Sequence, residues 1–243
     1  MRDDLLDAQA AVDWAVAQLP TLKGRLEAWG NGTRYRLVFE PHPEIGKKII
    51  KFADVVPLDP LINAETGVII NSIRSSLDLL ITSVTLRHGN TDIKRTYFPV
   101  AESEALFRAG KYKGHEAVKR LPASERSIIE NLSPWRGGNY ALVALHDLDI
   151  LRKHQRLINV RMTPWAIGAS PTEFKAGLEF VPTWPGLKND AVIGTTGIDA
   201  PDCDPYMALA VQFDEAIVRG SKPLIETLCD FASLANHIIR LFD

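Results

Sequence analysis

Ile62, Thr66, Ile69, Ile73, Leu77, Leu80 and Val84 recur at spacings of three and four. That repeat puts them in one stripe along a helix spanning residues 62–88, about seven turns long. A second, thinner line of Val68, Leu79 and Leu86 lies well round the cylinder, and a polar strip with Asn71, Arg74, Asp78 and Thr85 runs between the two. A helix apolar on two sides is sandwiched between neighbours, so the pattern predicts a spine on which the rest of the fold is built. Asp59 or Asn63 is the candidate cap at its start.

The same spacing in Leu5, Ala8, Val12, Ala15, Leu19, Leu22, Leu26 and Trp29 predicts a helix over about residues 3–28. Pro20 should kink it or split it in two, and Gly30-Asn31-Gly32 ends it. Tyr35, Leu37 and Phe39 then alternate with polar neighbours, and a second strand over 48–55 completes a hairpin. Short helices are expected over 102–109, 115–121 and 122–132, and a longer one over 140–154. Beyond it the period falls to two. Ile158, Val160 and Met162, then Phe174 to Phe180, then Val192 and Ile193, then Met207 to Phe213 predict strands of an antiparallel meander. Ser221 should cap a closing helix with Pro223 in its first turn and Leu224, Leu228, Phe231, Ala235, Ile238 and Phe242 on its buried face. The expected architecture is one α+β domain over residues 1–243: a helical bundle around a long central helix, packed with an antiparallel sheet built from both ends of the chain.

Composition narrows the class without naming a chemistry. The 243 residues are 46% hydrophobic and 24% charged with a formal net charge of -2, ordinary for a globular protein. Near-neutral charge argues against a nucleic-acid binder driven by its whole surface, though not against a local basic patch. The start, MRDDLLDAQAAVDW, lacks the basic and apolar blocks of a signal peptide, and no run approaches the roughly 18 apolar residues of a membrane span. Two cysteines, Cys203 and Cys229, are too few for a disulfide framework or a zinc cluster. The expected compartment is a reducing cytoplasm of bacterial type.

Three clusters can carry chemistry. On the spine, Arg74 and Asp78 are four apart and can pair, with Asn71 one turn before Arg74; the plain alternative is a solvated or interfacial ion pair. In ALVALHDLDILRKHQRL, His146, Asp149 and Lys153 fall along one helix edge, with Asp147 and His154 on the far side. Such a line can bind an anion or relay a proton, or it is an edge stripe held by an Asp149–Lys153 pair. Arg152, Lys153 and Arg156, with Arg161 beyond, form the best basic patch, able to meet phosphates or simply to cap a solvated helix end. Asp199, Asp202 and Asp204 resemble a carboxylate cluster, but the glycine and ligand spacing of an EF-hand are missing. The six histidines are scattered, so no metal and no cofactor is expected, and no phosphate-loop, dinucleotide or nucleophile-elbow motif is present.

Asn71-Ser72-Ile73-Arg74-Ser75-Ser76-Leu77-Asp78-Leu79, Phe98-Pro99, Pro134-Trp135-Arg136-Gly137-Gly138 and Leu145 through Arg156 follow one another in an order that resembles a widespread bacterial and phage protein family. The match covers about residues 30–165. The family's helix also resembles the Arg-x4-His signature of HEPN helical domains, many of them dimeric, metal-independent ribonucleases of toxin and anti-phage systems. In those, His does acid/base chemistry on the ribose 2′-hydroxyl and Arg steadies the phosphate. Arg74 matches the Arg, but the His position falls on Leu79, which cannot move a proton. The resemblance therefore implies a non-catalytic HEPN-like binding protein, a homodimer with Arg74 and Asp78 at an interface and Asn71, Asp149, Arg152, Lys153 and Arg156 as further binding residues. RNA or an acidic protein is the expected partner. The alternatives are a ribonuclease using Arg74 with His146 or His154, and an accessory protein whose sheet binds a small ligand.

Overall fold

A computed structural model describes residues 1–43, 46–182, 186–202, 205–218 and 222–243, with 164–167 and 206 described by backbone alone. After a 3-10 turn at Asp3–Leu5, α1 runs from Leu6–Gly30 as one unbroken helix. Pro20 neither splits nor ends it. Pro20 and Val16, whose carbonyl loses its amide partner, are both exposed, so water can replace the missing bond. Strands β1 (Arg36–Pro41) and β2 (Lys47–Ala53) form the expected hairpin, with Val38 opposite Lys51.

Helix α2, Pro60–Arg87, is the spine. Asp59 is its cap, accepting from the Leu61 amide at 2.9 Å, while Asn63 instead accepts from the Val160 amide across the fold. The expected stripe of Ile62, Thr66, Ile69, Ile73, Leu77, Leu80 and Val84 is buried. The second line is not. Val68, Leu79 and Leu86 are exposed, and the polar strip has taken their place, because Ile70, Arg74, Ile81 and Thr85 are the second buried row. Hydroxyl and guanidinium groups tolerate that position because each finds a carbonyl or carboxylate: Thr85 donates to Ile81 O, and Arg74 to the partners described below.

Three short helices follow, α3 (Glu104–Arg108), α4 (His115–Lys119) and α5 (Ala123–Asn131), then α6 (Tyr140–His154), capped by the Asn139 side chain. Strand β3 (Val160–Gly168) leads to α7 (Pro171–Lys175), β4 (Glu179–Phe180), β5 (Val192–Gly197), β6 (Tyr206–Phe213) and α8 (Leu224–Arg240). The period-two run Phe174 to Phe180 was expected as a strand, but its first part is helical. Ser170 and Glu173 close a capping box, with Ser170 N donating to Glu173 Oε2 at 2.5 Å, and Gly177 at φ +85 turns the chain into a two-residue strand. Pro223 stands at the cap position, one residue before α8, and Ser221 lies outside the described residues.

The strands do not form a meander. β1, β2, β5 and β4 make one antiparallel sheet in that order, and β3 pairs with β6 in a separate ribbon. The sheet is nonetheless built from both ends of the chain, since β2 pairs with β5. The fold is α+β, with helices packed on antiparallel sheet. α2 touches α1, α6 and α8, and these helices with Phe98, Met162, Val211 and Phe213 share one core. The larger sheet has its own, around Ile50, Phe52, Leu178 and Ile193. Against the expectation that no run approaches a membrane span, α2 is by length and composition apolar enough to cross one, but 56% of its most apolar window is buried in the fold.

The segment before α6 is fixed by Gly114, at φ +89, where a Cβ would run into the Tyr97 carbonyl oxygen. Gly114→Ala is expected to cost about 2 kcal/mol or more, read as a lower urea midpoint with unchanged slope.

Candidate functional site

Arg74 sits mid-way along α2 on the row facing α6, and only 3% of it is exposed. Its guanidinium makes three bonds in three directions. Nη1 donates to Asp78 Oδ1 at 2.7 Å, one turn along the same helix. Nη2 donates to the Phe98 carbonyl at 3.0 Å. Nε donates to His146 Nδ1, on α6, at 3.3 Å. Asp78 Oδ1 also accepts from the Phe98 amide at 2.7 Å, so the Phe-Pro segment is held at both its N–H and its C=O. One buried cation thus joins the spine, the 98–99 segment and α6.

The second junction lies along the same pair of helices. Arg152 lies across Gly67, where a Cβ would meet its Cδ at 2.8 Å, and its Nη2 donates to Asn71 Oδ1 at 2.8 Å. Asp149, 4% exposed, pairs with Lys153 at 2.6 Å and lies 3.8 Å from Arg152 Nε. Packing α6 antiparallel to α2 is what brings these groups together, since Arg74 meets His146 while Asn71, nearer the start of α2, meets Arg152.

His146 is half-buried, and its pKa is pushed down to about 3, first by burial and then by the positive charges of Arg74, Lys113, Lys153 and Arg136. Accepting at Nδ1 assigns its proton to Nε2 in the neutral ring. A ring with so low a pKa is a weak base and holds no acidic proton near neutrality. The surrounding cations are mostly engaged. Arg136 bridges Glu102 at 2.6 Å and Asp147 at 2.7 Å, and burial raises the Asp147 carboxyl against the opposing bond from Arg136.

The basic run is folded back onto the chain rather than offered to phosphate. Arg156 makes a two-pronged pair with buried Glu215, at 2.7 and 2.8 Å, and Arg161 lies 3.4 Å from Asp214. Arg74 and Asp78 tie elements of one chain, and Arg74 is not at its surface as a dimer contact would require. His154 ends α6 on the exposed side, eight residues beyond His146, and is not brought to Arg74. Asp202 pairs with Lys48 at 3.1 Å, and Asp204 lies outside the described residues. Among the described residues no group of three His, Cys, Asp or Glu can hold a metal ion. A groove of about 810 Å³ between the end of α1, the β3–β6 ribbon and the start of α8 is lined by Leu26, Tyr35, Met162, Leu209 and Ile225 and does not reach Arg74.

Sequence reasoning missed the Phe98 backbone, Lys113, Arg136 and Glu215. Arg136 and Phe98 were legible as parts of the Pro-Trp-Arg-Gly-Gly and Phe-Pro motifs, though not as partners of this site; Lys113 and Glu215 carry no local pattern. Comparison of the chain with protein-family models, with curated proteins and with solved structures finds no match in any of the three.

Arg74→Ala should cost about 3–5 kcal/mol, because it strands Asp78 and the Phe98 carbonyl in a buried junction; chemical unfolding measures it. His146 should show no imidazole titration between pH 5 and 8 by NMR. Its folded pKa lies below the unfolded value, so the unfolded chain binds the proton first. That contribution to stability is complete above pH about 6.5 and declines as pH falls toward about 3. His146→Asn should flatten that part of the pH–stability curve.

Proposed function

We propose that this chain is a non-catalytic, HEPN-like binding protein of a bacterial cytoplasm, of the kind found in phage-defence and mobile-element systems, which meets an acidic protein partner through the cationic edge around His146. One observation carries the reading: each nitrogen of the Arg74 guanidinium is bonded inside the fold and only 3% of the residue is exposed, which keeps it from a phosphate in solution. Leu79 at the expected His position, and the low pKa of His146, point the same way. Lys113, Lys153 and Arg136 stand exposed along this edge, Lys153 paired with Asp149 and Arg136 with Glu102 and Asp147, so a partner's carboxylates would compete for cations already in place, and the net charge of -2 favours a local contact over broad RNA binding.

The 3.3 Å approach of Arg74 to His146 is the one feature that favours the ribonuclease alternative. Incubation with single-stranded RNA is expected to give no cleavage. Binding to poly-L-glutamate should weaken with salt, and fall about tenfold in a Lys113→Glu, Arg136→Gln variant that folds normally. RNA cleavage that disappears in His146→Ala would replace this reading with the enzyme.

A further inference from the structure

The apolar residues that α2 leaves in solvent are arranged symmetrically about one point. Leu61, Val68, Leu79 and Leu86 are 57%, 46%, 38% and 49% exposed. With Glu65, Ser72, Ser75 and Thr82 they form an unbroken alternation of four- and three-residue steps along one side of the helix. The midpoint of this row lies between Ile73 and Arg74. Leu61 stands as far before it as Leu86 stands after it; the same holds of Val68 and Leu79, and of Ser72 and Ser75. Large side chains lie at the ends and small hydroxyl residues at the centre, where two backbones can approach closely.

We propose that this face of α2 is the contact between two copies of the chain, packed antiparallel about a two-fold axis passing between Ile73 and Arg74. A two-fold contact uses the same patch on both partners, so it requires a surface that complements itself when reversed end for end. This row does so: Leu61 would meet the partner copy's Leu86, Val68 its Leu79, and Ser72 its Ser75, while Glu65, its charge already met by Arg25 at 3.2 Å, would face Thr82. Chance exposure of four apolar residues carries no such symmetry. The arrangement goes beyond the reading of the cationic edge and does not rest on it, since Arg74 and His146 lie on the row facing α6.

Area supports the same occupant. From Leu61 to Leu86 the face is about 40 Å long and about 10 Å wide, so α2 alone offers only about 400 Å² per copy. The Ser72 hydroxyl donates to Ala11 O at 2.8 Å, which seats α1 alongside the middle of the row. The outer side of α1 carries exposed Ala10, Trp14, Ala17, Thr21, Gly24 and Ala28, none of them charged, in a chain that is 24% charged. Two helices side by side double the face to about 800 Å² per copy, the usual size for a stable complex.

Light scattering after gel filtration tests the contact and its register together. The intact chain is expected to be a dimer. Val68→Lys and Leu79→Asp should each give a folded monomer, because each buries two unpaired charges at the contact. The double variant should return to a dimer, because the ammonium introduced at position 68 of each copy then faces the carboxylate introduced at position 79 of the other. Phe174→Asp, exposed on α7, should remain dimeric. In a chain whose Cys203 and Cys229 are serine, Val68→Cys with Leu79→Cys should form a covalent dimer on mild oxidation, which reads the register without introducing charge. A monomeric intact chain, a monomer that binds anionic lipid vesicles through this face, a dimer indifferent to both single charges, or a double variant that stays monomeric would each overturn the proposal.

Discussion

A single guanidinium, buried at the crossing of two helices, is what the rest of the structure depends on. Burying an arginine is costly unless its donors are met, and here they are met by three different parts of the chain: Asp78, the Phe98 carbonyl and His146. The arrangement also fixes the angle and register at which α6 lies on α2, because a one-turn slip would separate Arg74 from His146 and Arg152 from Asn71 together. Apolar packing of Ile70, Ile81, Leu145 and Leu148 supplies the bulk of the burial, but it is tolerant of sliding; the polar contacts are not.

The same junction decides what chemistry is open to the site. A catalytic arginine must have donors free for the charge that develops in a reaction, and a catalytic histidine must exchange a proton near working pH. Arg74 holds its donors to the fold, and its charge, with burial, keeps His146 neutral. Lys113, Lys153 and Arg136 stay exposed to solvent, Lys153 paired with Asp149 and Arg136 with Glu102 and Asp147. The remaining cations of the α6 end are directed inward: Arg156 to Glu215, Arg152 to Asn71. The two faces of α2 therefore divide the work. One is bonded to α6, and the other is open and mostly apolar, with Glu65 on it paired to Arg25 of α1 at 3.2 Å.

Much of this architecture was legible in the order of residues. The spacings that placed Ile62 to Val84 in one stripe also placed them in the core, and the longer helix expected over 140–154 is the one found. What the pattern could not distinguish was which polar or apolar line of α2 turns inward, because that depends on α6 being near. Val68, Leu79 and Leu86 look like core by type and are exposed, whereas Arg74 and Thr85 look like surface and are buried. Phe174 to Phe180 failed for a local reason: the Ser170–Glu173 capping box outweighed a short period-two run. Strand order was equally hidden, since the pairing of β2 with β5 spans most of the chain. The pairs Arg74–Asp78 and Asp149–Lys153 followed from helical spacing; Arg74 beside His146 was named only as one of two alternatives, with His154 the other, and the Arg152–Asn71 bond had no sequence signal.

As a structural tie, Arg74 must be energetically coupled to the groups it touches. A double-mutant cycle between Arg74→Met and Asp78→Asn, read by urea unfolding, measures that coupling directly. A coupling energy of about 1–3 kcal/mol is predicted, with the double variant much less destabilised than the sum of its parts. Strict additivity of the two substitutions would mean that Arg74 is no such tie.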